Sequence, residues 1–311
     1  MSSFTSEVKH EIAQIDLKPC CKKAELSALV QLCSTFNIVD DEIFFVVKTE
    51  NATIAKRIWL LLKDLYDVET QLSVMKKMNL KKNNIYNIKI LEKGKEILID
   101  LGLYGKRGLR DAPLMRIVKN ECCVKSYLAG AFMSTGSVNS PIRSNYHLEI
   151  TAASKKHVDF LIKLMSKFNL PAKVIVRRSS YVVYLKAADK IADFLRVVGA
   201  VKALFKFEDI RISRDFTNSL RRLDNCEVAN EMKTIKAARS QLDDIKVIED
   251  AGMFDSLDIK LKDIALLRKE NPEMSLIDLS KEYERKTGII MSKSGINHRF
   301  TKIREIASKL S

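Results

Sequence analysis

The sequence predicts an α+β protein: two duplicated half-domains related by approximate two-fold symmetry, then a C-terminal all-α helix-turn-helix domain. Three observations lead there. Residues 20–36 (CCKKAELSALVQLCSTF) and 122–138 (CCVKSYLAGAFMSTGSV) align without a gap at an offset of 102 positions. The elements that follow each copy recur in the same order. Near the chain end, a helix, a short Gly-containing turn and a second helix match the helix-turn-helix pattern. A duplication of this length implies two halves meeting along the repeated helices.

Residues 4–15 form an amphipathic helix with Phe4, Val8, Ile12 and Ile15 on one face, and Pro19 stops or redirects it. The first repeated helix spans about 22–36. Residues 42–49 (EIFFVVKT) are β-rich, and Asn51 caps a helix bearing Ile54, Ile58, Leu61, Leu62 and Leu65. A hairpin over 68–75 and 85–91 turns through Lys76, Lys77, Lys81, Lys82, Asn83 and Asn84. A helix over 92–101 closes the unit, with Gly102 as its C-cap. Residues 103–117, with two Gly, one Pro and four basic side chains, read as a linker.

The second unit repeats the order. The helix over 122–135 carries Leu128, Ala131, Phe132 and Thr135 at helical spacing, while Ala129 and Gly130 leave one side bare for a close partner. A turn at 139–141 leads to a strand over 146–151. Ser154 caps a helix with Val158, Leu161, Ile162, Met165 and Phe168, ended by Pro171. A hairpin over 173–177 and 181–186 turns at Arg178-Ser179-Ser180, and a helix over 187–198 ends at Gly199. The predicted order is α-β-α-β-β-α, twice. Residues 201–223 are mixed and basic. From 225 to 250 one long helix, with Val228, Met232, Ile235, Leu242, Ile245 and Ile248 on a stripe, reads as a structural brace. Helices over 257–270, 275–286 and 292–310 complete the chain, with a capping box at Ser275 to Asp278 and Ser292 as the last N-cap. The expected domains are 1–19, an N-terminal helix; 20–102 and 121–200, the repeats, joined by the linker 103–120; 201–256, the connecting region; and 257–311, with the helix-turn-helix at about 275–308.

A hydrophobic fraction of 46% supports a sizeable core, and no segment approaches the apolar length of a membrane helix. The N-terminus has no signal-peptide apolar region, so a cytoplasmic, nucleoid-associated location is expected. Six cysteines, as two adjacent pairs and two singles, make no disulfide framework. Adjacent cysteines lack the CxxC bite that suits zinc, so the thiols read as partly buried and merely repeated, and neither metal nor cofactor is expected. The net charge of +15 favours a polyanionic partner. Residues 1–220 carry +13, residues 221–256 carry −2 and residues 257–311 carry +4.

On the last helix, Ile296, Phe300, Ile303, Ala307 and Leu310 form an apolar stripe. Capped by Ser292, the helix presents Ser294, Asn297, His298 and Thr301 on its opposite face, with Lys293, Arg299, Lys302 and Arg304 along the flanks. Short polar side chains edged by cations suit a helix in a major groove: Asn or His reads base edges, and Lys or Arg holds phosphates. His298 has no metal partner nearby and reads as a hydrogen-bonding or packing residue. Double-stranded DNA is the expected partner.

The stretch 128–136 (LAGAFMSTG) resembles the LAGLIDADG signature of homing endonucleases, and the resemblance extends to both halves over roughly 20–200. It implies an αββαββ-type plan around paired helices, with an acidic penultimate residue in each motif holding divalent metals for phosphodiester cleavage. Here those positions are Cys33 and Thr135, neither a hard carboxylate ligand. Asp40, Asp41 and Glu42 lie near the first motif, but Ile142, Arg143 and Ser144 at the second include no acid. A matched two-metal site, and with it catalysis, is not expected.

End to end, the chain is similar to the WhiA family. The similarity rests on Ser3-Phe4 with Val8-Lys9 and Glu11, the paired cysteines before each motif, the 146–150 strand (YHLEI), Asn225-Cys226-Glu227 with Ala229-Asn230, and the run SKSGINHR at 292–299. It implies a degenerate LAGLIDADG domain joined to a helix-turn-helix, without nuclease activity. It further implies a DNA-binding transcriptional regulator tied to cell division and chromosome segregation, and to sporulation in spore formers. The alternatives are a metal-dependent endonuclease with displaced ligands, and a docking protein whose basic N-terminal half binds a transcription factor or RNA polymerase component.

Overall fold

The computed structural model of the protein describes residues 3–39, 42–76, 84–143, 145–178 and 180–310. Asp40, Asp41, Ser144, Ser179 and the turn lysines Lys77, Lys81 and Lys82 with Asn83 lie outside the described residues. The chain divides into two compact units, Met1–Arg214 and Asp215–Ser311.

In the first unit the chain runs α1 (Phe4–Ile12), α2 (Pro19–Cys33), β1 (Ser34–Val39), β2 (Glu42–Thr49), α3 (Ala52–Tyr66), β3 (Thr70–Lys76), β4 (Asn84–Ile90) and α4 (Gly94–Asp100). A small ladder follows, β5 (Tyr104–Gly105) with β6 (Gly108–Leu109), then a 3-10 turn over Met115–Val118. The second repeat is α5 (Glu121–Thr135), β7 (Gly136–Val138), β8 (Leu148–Ala152), α6 (Lys155–Ser166), β9 (Lys173–Arg177), β10 (Ser180–Leu185) and α7 (Ala188–Val197). Each repeat builds a four-stranded antiparallel sheet, ordered β1-β2-β4-β3 and β7-β8-β10-β9.

The observed order within a repeat is therefore α-β-β-α-β-β-α. The sequence reading missed β1 and β7, because both start at the residue after the helix with no turn between. Ser34 and Gly136, the C-cap residues of α2 and α5, are already extended. The first repeated helix accordingly begins at Pro19, whose missing N–H costs nothing at a first helical position, and ends at Cys33, three residues short of Phe36. The first helix likewise stops at Ile12. The expected linker is also more structured than its composition implies, since Leu103, Ile117 and Val118 are buried in the main core.

α2 and α5 form the axis of this unit. From Ser126 to Met133, α5 is buried without interruption, as expected of a helix that is apolar all round. Contact is closest at Gly130: a Cβ there would stand 2.5 Å from the Glu25 carbonyl oxygen and 3.0 Å from Ala28 Cβ. At equivalent positions of the two helices, each repeat buries a polar group and pairs it with its own following helix. Glu25 accepts from Arg57 Nε at 2.6 Å. Burial lifts its carboxyl pKa and the guanidinium opposes that rise. Tyr127 hydrogen-bonds His157 Nε2 at 2.8 Å, and burial pushes the imidazole down to about 4. Paired in this way, the buried polar groups avoid the cost of an unsatisfied one.

A single helix, α8 (Val201–Asp250), replaces the expected mixed segment and brace. Its start is capped by Glu11, whose carboxylate accepts from the N–H groups of Lys202 and Ala203 at 2.7 and 2.9 Å. In the first unit Phe207 of this helix is buried against Phe4 and Tyr146. On the expected apolar stripe, Val228 and Met232 are exposed, whereas Ile245 and Ile248 enter the core of the second unit.

The second unit adds a 3-10 turn over Phe254–Ser256 and three helices, α9 (Ile259–Glu270), α10 (Leu276–Thr287) and α11 (Lys293–Ala307). Ile264, Leu267, Leu279, Tyr283, Ile296, Phe300 and Ile303 form its core. Arg268 is buried among them. It donates to Gln241 Oε1 at 3.0 Å and to the Met274 carbonyl at 2.6 Å, and stacks on Phe300. Burial pushes its guanidinium down to about 10, so it stays charged at neutral pH.

Two outcomes follow from the helix pair. Gly130→Val is expected to force α2 and α5 apart and to cost about 1–3 kcal/mol, read by urea denaturation. His157 titrates at about 4 when folded against 6.5 in the unfolded chain, so between those values the unfolded state binds more protons. Stability therefore falls as pH drops through this window, by up to about 3 kcal/mol, and His157→Phe is expected to remove that slope.

Candidate nucleic-acid interface

α10 and α11 make the helix-turn-helix. Ser275 caps α10 by accepting from the Asp278 N–H at 3.2 Å, and its hydroxyl donates to the Asp278 carboxylate at 2.6 Å, a variant of the capping box. Gly288 ends the helix at φ 73°, a left-handed position that glycine occupies without strain. The Ser280 hydroxyl donates to the Met291 carbonyl and fixes the turn. Ser292 then caps α11 by accepting from the Gly295 N–H at 3.2 Å.

The expected reading face is open. Ser292, Lys293, Ser294, Asn297, His298, Thr301 and Lys302 are all exposed, while Ile296, Phe300, Ile303 and Ala307 face the core. Ser294, Asn297, His298 and Thr301 fall at helical spacing on one side. The Thr301 hydroxyl donates back to the Asn297 backbone carbonyl at 3.0 Å.

Two of the expected phosphate-holding residues are engaged inside the unit. Arg299 is half-buried, 2.8 Å from Met291 Sδ and over the Tyr283 ring. Arg304 is exposed but reaches Asp244 at 3.3 Å and Ser240 at 3.4 Å. Lys293 and Lys302 remain as the cations flanking the face. Sequence reasoning also passed over Ile289 and Ile290 in the turn, 59% and 81% exposed beside the start of α11. Apolar side chains at that place suit thymine methyl groups. Their signal was weak, because an isoleucine pair beside a helix ordinarily reads as core.

In the first unit, the C-terminal ends of α2 and α5 bring Cys33 and Thr135 to one cleft of about 720 Å³, with Lys9, Lys48, Thr49, Glu50 and Ser134 also on its walls. The Thr135 hydroxyl is spent on the Thr151 carbonyl at 2.6 Å. Burial pushes Cys33 up to about 11, against the pull of Lys9, so it is a neutral thiol. Burial pushes Lys9 down to about 8, leaving it largely protonated at neutral pH. Its ammonium lies 3.4 Å from the Ser134 carbonyl. Glu50 is the one carboxylate among these lining residues, and the equivalent position of the second repeat is Ala152. A neutral thiol, a committed hydroxyl and an ammonium are a poor donor set for hard divalent ions. On the sheets, the register places exposed Lys48 and Lys89 on the same face of the first sheet. In the second, Glu149 is paired with His147 and Arg177 at 3.0 and 3.7 Å.

Two LAGLIDADG-like half-domains followed by a helix-turn-helix define the class of protein. The family model for the WhiA N-terminal LAGLIDADG-like domain matches residues 19–104, that for the WhiA LAGLIDADG-like domain residues 124–217, and that for the WhiA C-terminal HTH domain residues 220–307. The chain belongs to the WhiA family. It is 46% identical to a protein of Bacillus pumilus (strain SAFR-032) named "Probable cell division protein WhiA", over 99% of this chain and 97% of that one. Identity to the protein of the same name from Bacillus cereus (strain G9842) is also 46%, with the same coverage. The fold is similar to that of full-length DUF199/WhiA from Thermatoga maritima, with a TM-score of 0.60 at 22% identity over 100% of this chain and 99% of that one. The N-terminal LAGLIDADG domain of DUF199/WhiA superposes with a TM-score of 0.51 at 19% identity, over 64% of this chain and 91% of that one. Among the described residues, no helix is long and apolar enough to cross a membrane.

The two flanks of α11 should separate in a stability measurement. Arg299→Ala is expected to cost about 1–2 kcal/mol through lost packing on Tyr283 and Met291. Lys302→Ala, on an open flank, is expected to stay within about 0.5 kcal/mol of the parent.

Proposed function

We propose that this protein is a non-enzymatic, sequence-specific DNA-binding protein that regulates transcription in connection with cell division and chromosome segregation, and with sporulation where the host sporulates. The open polar face of α11 carries the reading: Ser294, Asn297, His298 and Thr301 between Lys293 and Lys302, at the start of the second helix of the motif. Asn297 and His298 read base edges, and the two lysines hold phosphates on either side of the groove. Membership of the WhiA family and the names of the Bacillus relatives support the cell-division connection. The work is cytoplasmic and nucleoid-associated. The basic first unit supplies either a second DNA contact or a docking surface for a transcription factor or RNA polymerase component.

Cleavage of DNA is disfavoured by the donor set at the base of α2 and α5. An ammonium and a neutral thiol stand where hydrolysis needs matched carboxylates. Nicking of supercoiled DNA with Mg²⁺ or Mn²⁺, abolished by chelation, would revive the endonuclease.

Binding should be measured on duplexes drawn from genome-wide mapping of bound sites, over a salt series. With about six phosphates contacted, affinity should fall roughly 1000-fold between about 50 and 200 mM salt. Lys302→Ala should weaken binding to all sequences and reduce the salt slope by about 1. Asn297→Ala should instead cost about 1–3 kcal/mol on the specific site and little elsewhere. A flat salt response, or an Asn297→Ala variant with unchanged specificity, overturns the assignment.

A further inference from the structure

The four paired cysteines meet. Cys20 and Cys21 are the second and third residues of α2, and Cys122 and Cys123 hold the same places in α5. The pseudo-two-fold axis between these helices therefore sets one pair against the other. All four Sγ atoms lie within 4.8 Å of one another, and those within each pair are 3.9 and 4.0 Å apart. A zinc tetrathiolate with bonds of about 2.3 Å has sulfur–sulfur edges of about 3.8 Å. Each pair already spans such an edge, and modest side-chain rotations close the remaining ones. Cys20 and Cys122 reach solvent while Cys21 and Cys123 are buried, so an ion has an entry side and a floor.

The surroundings suit the charge. A divalent ion on four thiolates leaves a net negative charge. Two helix N-termini face it, each worth about half a positive charge. Neither N-cap residue, Lys18 or Asn120, caps its helix with its side chain, although the Cys21 N–H donates to the Lys18 carbonyl at 2.9 Å. Arg116 and Lys119 line a cleft shared with Cys20 and Cys123, together with Lys23, which is paired with Asp100 at 2.8 Å. Burial holds Cys21 and Cys123 as neutral thiols in the metal-free protein, so metal binding releases their protons.

We propose that Cys20, Cys21, Cys122 and Cys123 form a zinc site that clamps the N-terminal ends of α2 and α5 together. Four soft protein ligands select zinc over magnesium or calcium, and they leave no open coordination position. The ion is structural. It stands whether or not the C-terminal unit reads DNA. Adjacent cysteines make a poor chelate alone, but two pairs on two helices supply two corners each.

The test uses the full chain, expressed with zinc in the medium and purified under reducing conditions without chelator. Mass spectrometry of the metal should give one zinc per chain. Cobalt added to metal-free protein should develop the visible bands of a tetrahedral tetrathiolate and the near-ultraviolet thiolate-to-cobalt charge transfer. Cys20→Ser with Cys122→Ser should lower the zinc content roughly tenfold or more with the circular dichroism retained, while Cys226→Ser keeps its zinc. Should the double variant fail to fold, the cobalt spectrum of the parent decides by itself. Parent protein without zinc and without tetrathiolate bands, or with its four cysteines found only as disulfides, overturns the proposal.

Discussion

Two helices approach as α2 and α5 do only when one of them gives up a side chain at the crossing. Gly130 does so, against the carbonyl of Glu25 and the methyl of Ala28. Once the backbones are that close, much of the first unit is placed. Each helix leads straight into the first strand of its own sheet, so the seam sets where both sheets begin. The next polar positions, Glu25 and Tyr127, are shut away from water and must find partners, which Arg57 and His157 supply from α3 and α6. The seam is thus a packing constraint that also dictates hydrogen bonding one turn away.

Much of this was legible in the sequence because duplication doubles every signal. The offset that joins Cys20 to Cys122 also joins Leu26 to Leu128 and Ala28 to Gly130, and a bare helix side beside a repeat implies a symmetric seam. The first strands were not legible. Phe36 falls at helical spacing from Cys33, so periodicity extended the first repeated helix into β1, whereas the second ends at Thr135 as expected and β7 is only three residues long. The full length of α8 was hidden for another reason. Ile212, Phe216, Leu220 and Leu223 recur along it at helical spacing, but all four are exposed, so the period is not matched by burial in a core. The meeting of the cysteine pairs was invisible to any argument from local spacing, because it is a tertiary contact across the axis.

The second unit was read well along its apolar stripe and less well along its charges. Core residues declare themselves by period, and Ile296, Phe300, Ile303 and Ala307 are buried as their spacing requires. Whether a flanking arginine is free depends on what other helices offer it. Tyr283 and Met291 attract Arg299, while Asp244 and Ser240 attract Arg304. A guanidinium has a long stem and a flat face, so it packs as readily as it reaches. Lysines at positions 293 and 302 meet no such surface, and the face between them is left polar and unobstructed.

The two ends of the central helix pair, about 20 Å apart along fifteen-residue helices, differ in chemistry for an electrostatic reason. At the C-terminal ends, carbonyl groups and the negative end of each dipole favour a cation, and Lys9 approaches the Ser134 carbonyl there. A nuclease fills that place with metal ions and pays for them with carboxylates. Here an ammonium carried by α1 supplies the positive charge directly, and no carboxylate pair is needed to hold it. At the N-terminal ends the dipoles favour anions, and four sulfurs gather within reach of one another. The same pair of helices therefore presents a built-in cation where hard metals would bind and a cluster of soft thiols where they would not.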